Sequence, residues 1–521
     1  MLEGMRDQLR ELNLIHDGNY GMQNSTLGDE DPLLSFREND KRYTGRYQDD
    51  ISGQTLRDDL VEEARRKELD YFKSKEVWTK ISRTAATRLG CKPISVRWVD
   101  INKGDEIEPN YRSRLVARQL KARDKSGACF FAPTPPIEAL RAVLSSAMTR
   151  KKGEDPRYRE PDSEMRMQIS FVDVARAYFN AKTDPDSPVV VELPPEDADS
   201  PGMVARLMRH MYGTRSAADG WQEEYSGALV EKMGFKQGVA CPCLFVHEEK
   251  DLLCSVHGDD FTTKGPKASL DWFEDTLESL YEIKRGPRLG PNKDDAKEAS
   301  VLNRIVRWTP EGLEYEADPR QCERLLAECG LEGANSVCTP GVRASAAEVL
   351  AEEPLDPKLH TAFRAAAARS NYMSMDRPDA QFACKEICRY MSSPTTGSWN
   401  ALKRLCRYLV GLPRLIWRYR LQDESEVSVY GDTDWAGCPR TRKSTSGGCI
   451  LVGTHLIKTW SSTQQSVAMS SGEAEFYGAV KAAGAGLGFQ ALLKDLGIMV
   501  PLTVFTDSTA AIGIASRQGC L

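Results

Sequence analysis

The 521-residue chain has no uninterrupted apolar stretch approaching the ~18 residues of a membrane span, and Met1-Leu-Glu-Gly-Met-Arg has none of the apolar segment of a secretory signal. It has no Cys-x-x-Cys pair, and 14 cysteines over this length are too dilute for a disulfide framework. Low-complexity runs and internal repeats are missing as well. There is also little surplus charge: 70 Lys/Arg against 76 Asp/Glu leave −6, a total that by itself speaks against a nucleic-acid partner. What is present, 40% hydrophobic and 28% charged residues, is the mixture of a soluble globular protein. At roughly 100 to 200 residues per domain the length predicts about three to five domains, and the expectation is an intracellular, reduced chain with no membrane partner.

Composition shifts along the chain. The first 75 residues hold 12 Lys/Arg against 17 Asp/Glu, with one helix predicted from Thr55 to Lys75, and read as an acidic leader or linker. Beyond Glu76, β-rich runs such as Ile94-Ser-Val-Arg-Trp-Val and Arg114-Leu-Val-Ala alternate with helical ones such as Ile137 to Thr149, an α+β pattern. Ala344 to Arg369 reads as a connection, and Asp376 to Leu421 as two helices broken at Ser392-Ser-Pro-Thr-Thr-Gly. After Ser425 the order is βββαβα. Its long helix, from Ser471 to about Leu496, is predicted to bury Phe476, Ala479, Val480, Ala483 and Leu487.

Charge is unevenly spread. Residues 76–150 carry 14 Lys/Arg against 7 Asp/Glu and residues 376–420 carry 9 against 3, so two basic blocks sit inside an acidic chain. In the second, Trp399, Tyr408, Trp417 and Tyr419 alternate with cations, a mixture suited to backbone contacts and stacking on nucleic acid, and equally to a solvated basic helix. Cys241, Cys243, His247, Cys254 and His257 lie within 17 residues, yet their spacing fits two strands around Glu248-Glu-Lys-Asp better than a zinc knuckle.

Carboxylates stand at the ends of apolar strands. Ile169-Ser-Phe-Val-Asp173 ends in one acid, and Leu252-Leu-Cys-Ser-Val-His-Gly-Asp259-Asp260 in two. Acids concentrated at one point repel each other unless a cation neutralises them, which suggests Mg2+. Alone, a Gly-Asp-Asp is more often a solvated hairpin turn.

Asp173-Val-Ala-Arg-Ala-Tyr178-Phe179 and Val256-His257-Gly258-Asp259-Asp260 resemble the two catalytic motifs of reverse transcriptases. The segment Arg206 to Trp221, with Tyr212-Gly213, resembles what lies between them in copia-type LTR retrotransposon Pol polyproteins. Tyr111-Arg-Ser-Arg114-Leu-Val-Ala-Arg118 is similar to their fingers. Tyr430-Gly-Asp432-Thr-Asp434-Trp, Ser470-Ser-Gly-Glu473-Ala-Glu475 and Phe505-Thr-Asp507-Ser resemble the ribonuclease H domain that follows.

The resemblance implies an α+β right-hand polymerase with fingers, palm and thumb, followed by a ribonuclease H-like α/β domain. Its boundaries would be a leader at 1–75, fingers and palm at 76–342, thumb or connection helices at 343–425, and the nuclease unit at 426–521. Asp173, Asp259 and Asp260 would hold Mg2+, with Mn2+ as the alternative ion, and Asp432, Glu475 and Asp507 would form a second such site. Tyr178 would exclude a 2′-hydroxyl, Arg112, Arg114 and Arg118 would meet the triphosphate, and Tyr212 and Gly213 would lie against substrate. Partners would be an RNA template, a DNA primer, RNA–DNA hybrid, deoxynucleoside triphosphates and other Pol-derived proteins, in a cytoplasmic particle or the nucleus.

Some positions depart from that pattern. His257 and Gly258 stand where the family has an aromatic and a small apolar residue, and Ser216, Ala218 and Asp219 replace glutamine, proline and arginine. Only 14 residues follow Asp507, which predicts a C-terminally truncated nuclease unit and puts its activity in question. The resulting expectation is an RNA-directed DNA polymerase, with a decayed relic that binds hybrid without polymerising as the alternative.

Overall fold

The computed structural model describes residues 44–119, 130–197 and 202–517, together with the backbone of Leu14–Ile15. Helix α1 (Asp58–Ser74) matches the predicted one. Its Leu69 and Phe72 close a core with Val77, Leu115, Phe179 and Met211, and its Val61 packs with Tyr47 and Leu56. From residue 44 the expected leader is therefore packed structure. Helix α1 exposes Asp59, Glu62 and Asp70 on its solvent side, and net charge says nothing about the opposite face. The rest of that leader, apart from Leu14–Ile15, lies outside the described residues. Strands β1 (Trp78–Ser82), β2 (Val96–Asn102) and β3 (Tyr111–Ala117) follow, with β2 and β3 paired as an antiparallel hairpin.

Helix α2 (Ile137–Ala147) leads into the central sheet. Its strands are β4 (Met167–Val174), β5 (Lys236–Gln237), β6 (Leu244–His247), β7 (Leu252–His257), β8 (Asp260–Pro266) and β9 (Ile283–Arg285). They run antiparallel in the order β9-β4-β8-β7-β6-β5, and β6 and β7 are the hairpin that the zinc reading competed with. Strand β4 is buried on both faces. Met167, Ile169 and Phe171 pack on Leu140 and Leu144 of α2, while Val172 and Val174 face α3 (Ala217–Gly227) and α4 (Lys267–Leu280).

A second antiparallel sheet comprises β10 (Glu298–Val301), β11 (Arg304–Thr309), β12 (Gly312–Ala317) and β13 (Ile416–Tyr419), with Leu14–Ile15 beside β13. Helices α5 (Pro319–Glu328), α6 (His360–Met373), α7 (Gln381–Cys388) and α8 (Thr396–Gly411) share one core through Leu325, Phe363, Cys384 and Leu405. Two expectations change here. The connection at residues 344–369 contributes the first ten of the 14 residues of α6, because Pro354 and Pro357 precede the helix rather than interrupt it. The helix expected up to Leu421 stops at Gly411, before Pro413, and Ile416–Tyr419 pairs with β12 instead.

The last unit follows the predicted order: β14 (Val427–Asp434), β15 (Thr445–Val452), β16 (His455–Thr463), α9 (Ser471–Asp495), β17 (Leu502–Phe505) and α10 (Thr509–Ala515). The sheet order is β16-β15-β14-β17, with β14 and β17 parallel. The face α9 buries is not the predicted one. Val480 and Leu487 are exposed, and Ala474, Gly478, Ala482 and Gly486 lie inward. A Cβ added to Gly478 would fall 2.2 Å from Thr433 Oγ1, so the close helix–sheet approach selects small residues over apolar ones.

Nothing loosens the join between these units. Residues Ala139 to Ala147 of α2 are all buried, between the central sheet on one side and Val427, Ile450 and Ile457 on the other. Within this junction the Arg141 guanidinium donates to Asp376 Oδ1 (2.6 Å), Met375 O (2.7 Å) and Ile457 O (2.9 Å). Arg304 pairs with the other Asp376 oxygen at 3.0 Å.

Candidate active sites

The first carboxylate group forms at one end of the central sheet. Asp173 on β4 lies opposite Asp260 on β8 in the strand register, and Asp259 stands in the two-residue turn that joins β7 to β8. Gly258 takes φ +67° in that turn, a conformation glycine adopts freely, and its carbonyl accepts the Trp221 indole N–H at 2.8 Å. Burial, then the charges of Asp259 and Asp173, push the Asp260 carboxyl up to about 6. Partial desolvation and Asp259 raise Asp173, against the pull of Lys284, Arg114 and Arg112. Lys284 lies opposite Asp173 on β9, a cation that sequence reasoning missed because a three-residue strand shows no legible alternation.

Arg112 and Arg114 are exposed on the same face of β3, and both act on Asp173. Arg118 continues that face just past the strand, and no contact ties it to the carboxylates. Tyr178 reaches the site through a tight reversal: Arg176 adopts φ +47°, held by Glu68 at 2.9 Å, and a short 3-10 turn follows. Its ring meets Tyr212 edge-on at 5.0 Å, and Arg114 covers Tyr212 at 4.7 Å. Gly213 is required where it stands, at φ +81°, because a Cβ there would fall 2.0 Å from Ala117 O. The neighbouring Tyr212 carbonyl accepts the Ala117 N–H at 2.8 Å, which ties β3 to this segment. Asp219, one of the unusual positions, accepts the Phe131 N–H at 3.0 Å.

The second group joins Asp432, Glu475 and Asp507, whose carboxylate oxygens lie within 4.8 Å of one another. The parallel pairing of β14 and β17 produces this. Tyr430 and Phe505 are the last register pair, and Asp432 and Asp507 each stand two residues beyond it. Glu475 comes from the first turns of α9, whose N-cap Ser470 accepts the Glu473 N–H at 3.2 Å. Burial, then Asp432 and Asp507, push Glu475 up to about 7, and burial raises Asp432. Asp434 and Glu473 are engaged elsewhere: Asp434 accepts the Thr445 N–H, and Glu473 accepts from Met469 N (2.7 Å) and Tyr477 OH (2.8 Å).

The second basic block is not the open cationic surface its composition suggests. Arg414 pairs with Glu316, Arg418 with Glu311 and Glu314, and Arg377 with Asp379, while Tyr408, Trp417 and Tyr419 are buried. No described helix is long and apolar enough to cross a membrane.

Residues 75–289 match the family model described as reverse transcriptase (RNA-dependent DNA polymerase). The retrovirus-related Pol polyprotein from transposon RE2 of Arabidopsis thaliana is 27% identical over 474 residues, covering 88% of this chain and 30% of that protein. Its counterpart from transposon RE1 of the same plant is 27% identical over 435 residues, covering 82% and 27%. The chain thus spans less than a third of the length of these curated relatives. A foamy viral protease-reverse transcriptase, solved in complex with dsDNA, aligns over 99% of this chain and 88% of that one with a TM-score of 0.48 and 12% identity.

Proposed function

From a chain whose residues 75–289 belong to the reverse transcriptase family of copia-type Pol polyproteins, we propose template-directed extension of a DNA primer along RNA. The observation that carries this reading is the meeting of Asp173, Asp259 and Asp260 at one sheet end, faced by Arg112 and Arg114. In this reading the central sheet is the palm, the β2–β3 hairpin belongs to the fingers, α6 to α8 form the thumb or connection, and residues from 426 form a ribonuclease H-like unit.

Both carboxylate groups suit a hard divalent cation, because their protons are held by burial first and by mutual repulsion next, and a cation offsets both. Mg2+ bound by Asp173, Asp259 and Asp260 would activate the primer 3′-hydroxyl and neutralise the departing pyrophosphate. Arg112 and Arg114 hold the triphosphate as charged donors, and the Tyr178 ring, braced by Tyr212, blocks the space a 2′-hydroxyl needs. Asp432, Glu475 and Asp507 favour a second activity, hydrolysis of the RNA strand of the hybrid. The test is primer extension on an RNA template by the parent and Asp259→Asn, with hybrid binding measured alongside. Extension by the parent alone is expected. Equal incorporation by both overturns the polymerase reading, and binding with no extension by either selects the relic.

A further inference from the structure

Trp435 stands three residues past Asp432, within ~10 Å of it along the chain, and is 51% exposed. Its loop is firmly held. The indole N–H donates to Ala468 O at 3.1 Å, and Ala436, at φ +51°, donates its N–H to Ser444 Oγ at 2.9 Å. Gly437 leaves room for the Asp434 carboxylate, since a Cβ there would fall 1.7 Å from Asp434 Oδ2. A ring fixed by its edge and left with open surface is preorganised for stacking, since little side-chain freedom remains to be lost.

Its surroundings extend the surface. Val467 and Met469, 46% and 84% exposed, flank the Ala468 that anchors the indole, and the Met469 N–H donates to Glu473 at the entry of α9. The apolar strip therefore joins the loop after β14, which carries Asp432, to the helix start that carries Glu475. Farther along the same connection Arg442 and Lys443 have no carboxylate partner among the described residues, and Arg442 is exposed. Three carboxylates alone would repel a polyanion, and these two cations, on the loop that follows Asp432, supply opposite charge.

We propose that Trp435, Met469, Arg442 and Lys443 form a docking platform for an RNA–DNA hybrid, with the indole stacking on a sugar or base face and the two cations meeting neighbouring phosphates. The platform rests on the nuclease reading of the Asp432 group, whose substrate it would seat. Occupation by nucleic acid follows from the carboxylate group at its edge and from the cations; a protein partner would need neither.

The test uses the full chain bound to a primer-ended RNA–DNA hybrid in Ca2+, with hydroxyl-radical footprinting and titration. The parent is expected to protect a stretch of hybrid remote from the primer end. Trp435→Ala loses that stretch and binds roughly tenfold more weakly, and Trp435→Phe regains most of both. A Trp435→Ala footprint and affinity equal to the parent's overturn the platform. RNA release in Mg2+ by the parent and Asp432→Asn is scored separately. No release by either, with a Trp435-dependent footprint, overturns the nuclease reading and leaves the platform standing.

Discussion

Replacing Glu475 by glutamine removes one of three carboxylates whose oxygens lie within 4.8 Å of one another and leaves its volume nearly unchanged. In the folded chain that carboxyl is raised from 4.5 to about 7, by burial first and by Asp432 and Asp507 next. A raised folded value means that between these limits the folded chain keeps a proton the unfolded chain has lost. Stability is then complete below about 4.5, falls as pH rises through the window, and stays low above 7. The full gap corresponds to about 3 kcal/mol, and solvent around a partly exposed side chain reduces it to on the order of 1–2 kcal/mol. Hydrogen exchange of the β14 amides reads this locally, which suits a chain of several packed units. Because pH 5.5 already lies one unit inside the window, in chelator the parent should exchange about 3- to 7-fold faster at pH 8 than at pH 5.5, after correction for intrinsic rates. Mg2+ should restore protection, since binding at 100 times its Kd stabilises by about 2.7 kcal/mol. Glu475→Gln should lose most of both responses and be better protected than the parent at pH 8 in chelator. A parent indifferent to pH and to Mg2+, or a variant matching it at pH 8, would refute the reasoning.

Gly478→Ala should destabilise the α9 packing by about 1–3 kcal/mol in urea unfolding, because its Cβ meets Thr433 Oγ1 at 2.2 Å, whereas Gly484→Ala, with nothing within 4 Å, should stabilise by about 0.5–1 kcal/mol. Equal effects would show that the helix is free to shift. Asp376→Ala leaves Arg141 and Arg304 buried without their shared carboxylate and should cost about 3–5 kcal/mol by the same measurement; a loss below about 1 kcal/mol would mean that water reaches the junction.

Asp173 and Asp259-Asp260 were legible because an apolar strand leads to each, whereas Asp432, Glu475 and Asp507 were named through the family resemblance, and the parallel pairing of β14 and β17 with the start of α9 brings the three together. Where sequence reasoning failed, the deciding fact lay on another element. Gly478 and Gly486 count as weak helix residues until Thr433 and Val429 are seen against them. Arg414 and Arg418 look solvated until Glu311, Glu314 and Glu316, about a hundred residues earlier, pair beside them in the sheet. The acidic leader concealed Leu69 and Phe72 because a helix can carry a charged face and a core face at once.

That redistribution of charge also bears on how the two sites are related. Once the internal pairs are subtracted, the cations facing the first carboxylate group are Lys284, Arg112 and Arg114, and the loop after Asp432 carries Arg442 and Lys443. A flexible connection would let these surfaces move independently, but α2 forbids it: Leu140 and Leu144 are sealed against the central sheet, and Ala139 and Ala142 against Ile450 and Ile457. Opening that wall would expose several large side chains at about 1.5–3 kcal/mol each and strand the Arg141 guanidinium away from Ile457 O. The spacing between the sites is therefore a property of the shared core. A hybrid long enough to reach both would meet them at a fixed separation, and substitutions in α2 that leave every carboxylate in place would be the ones to change it.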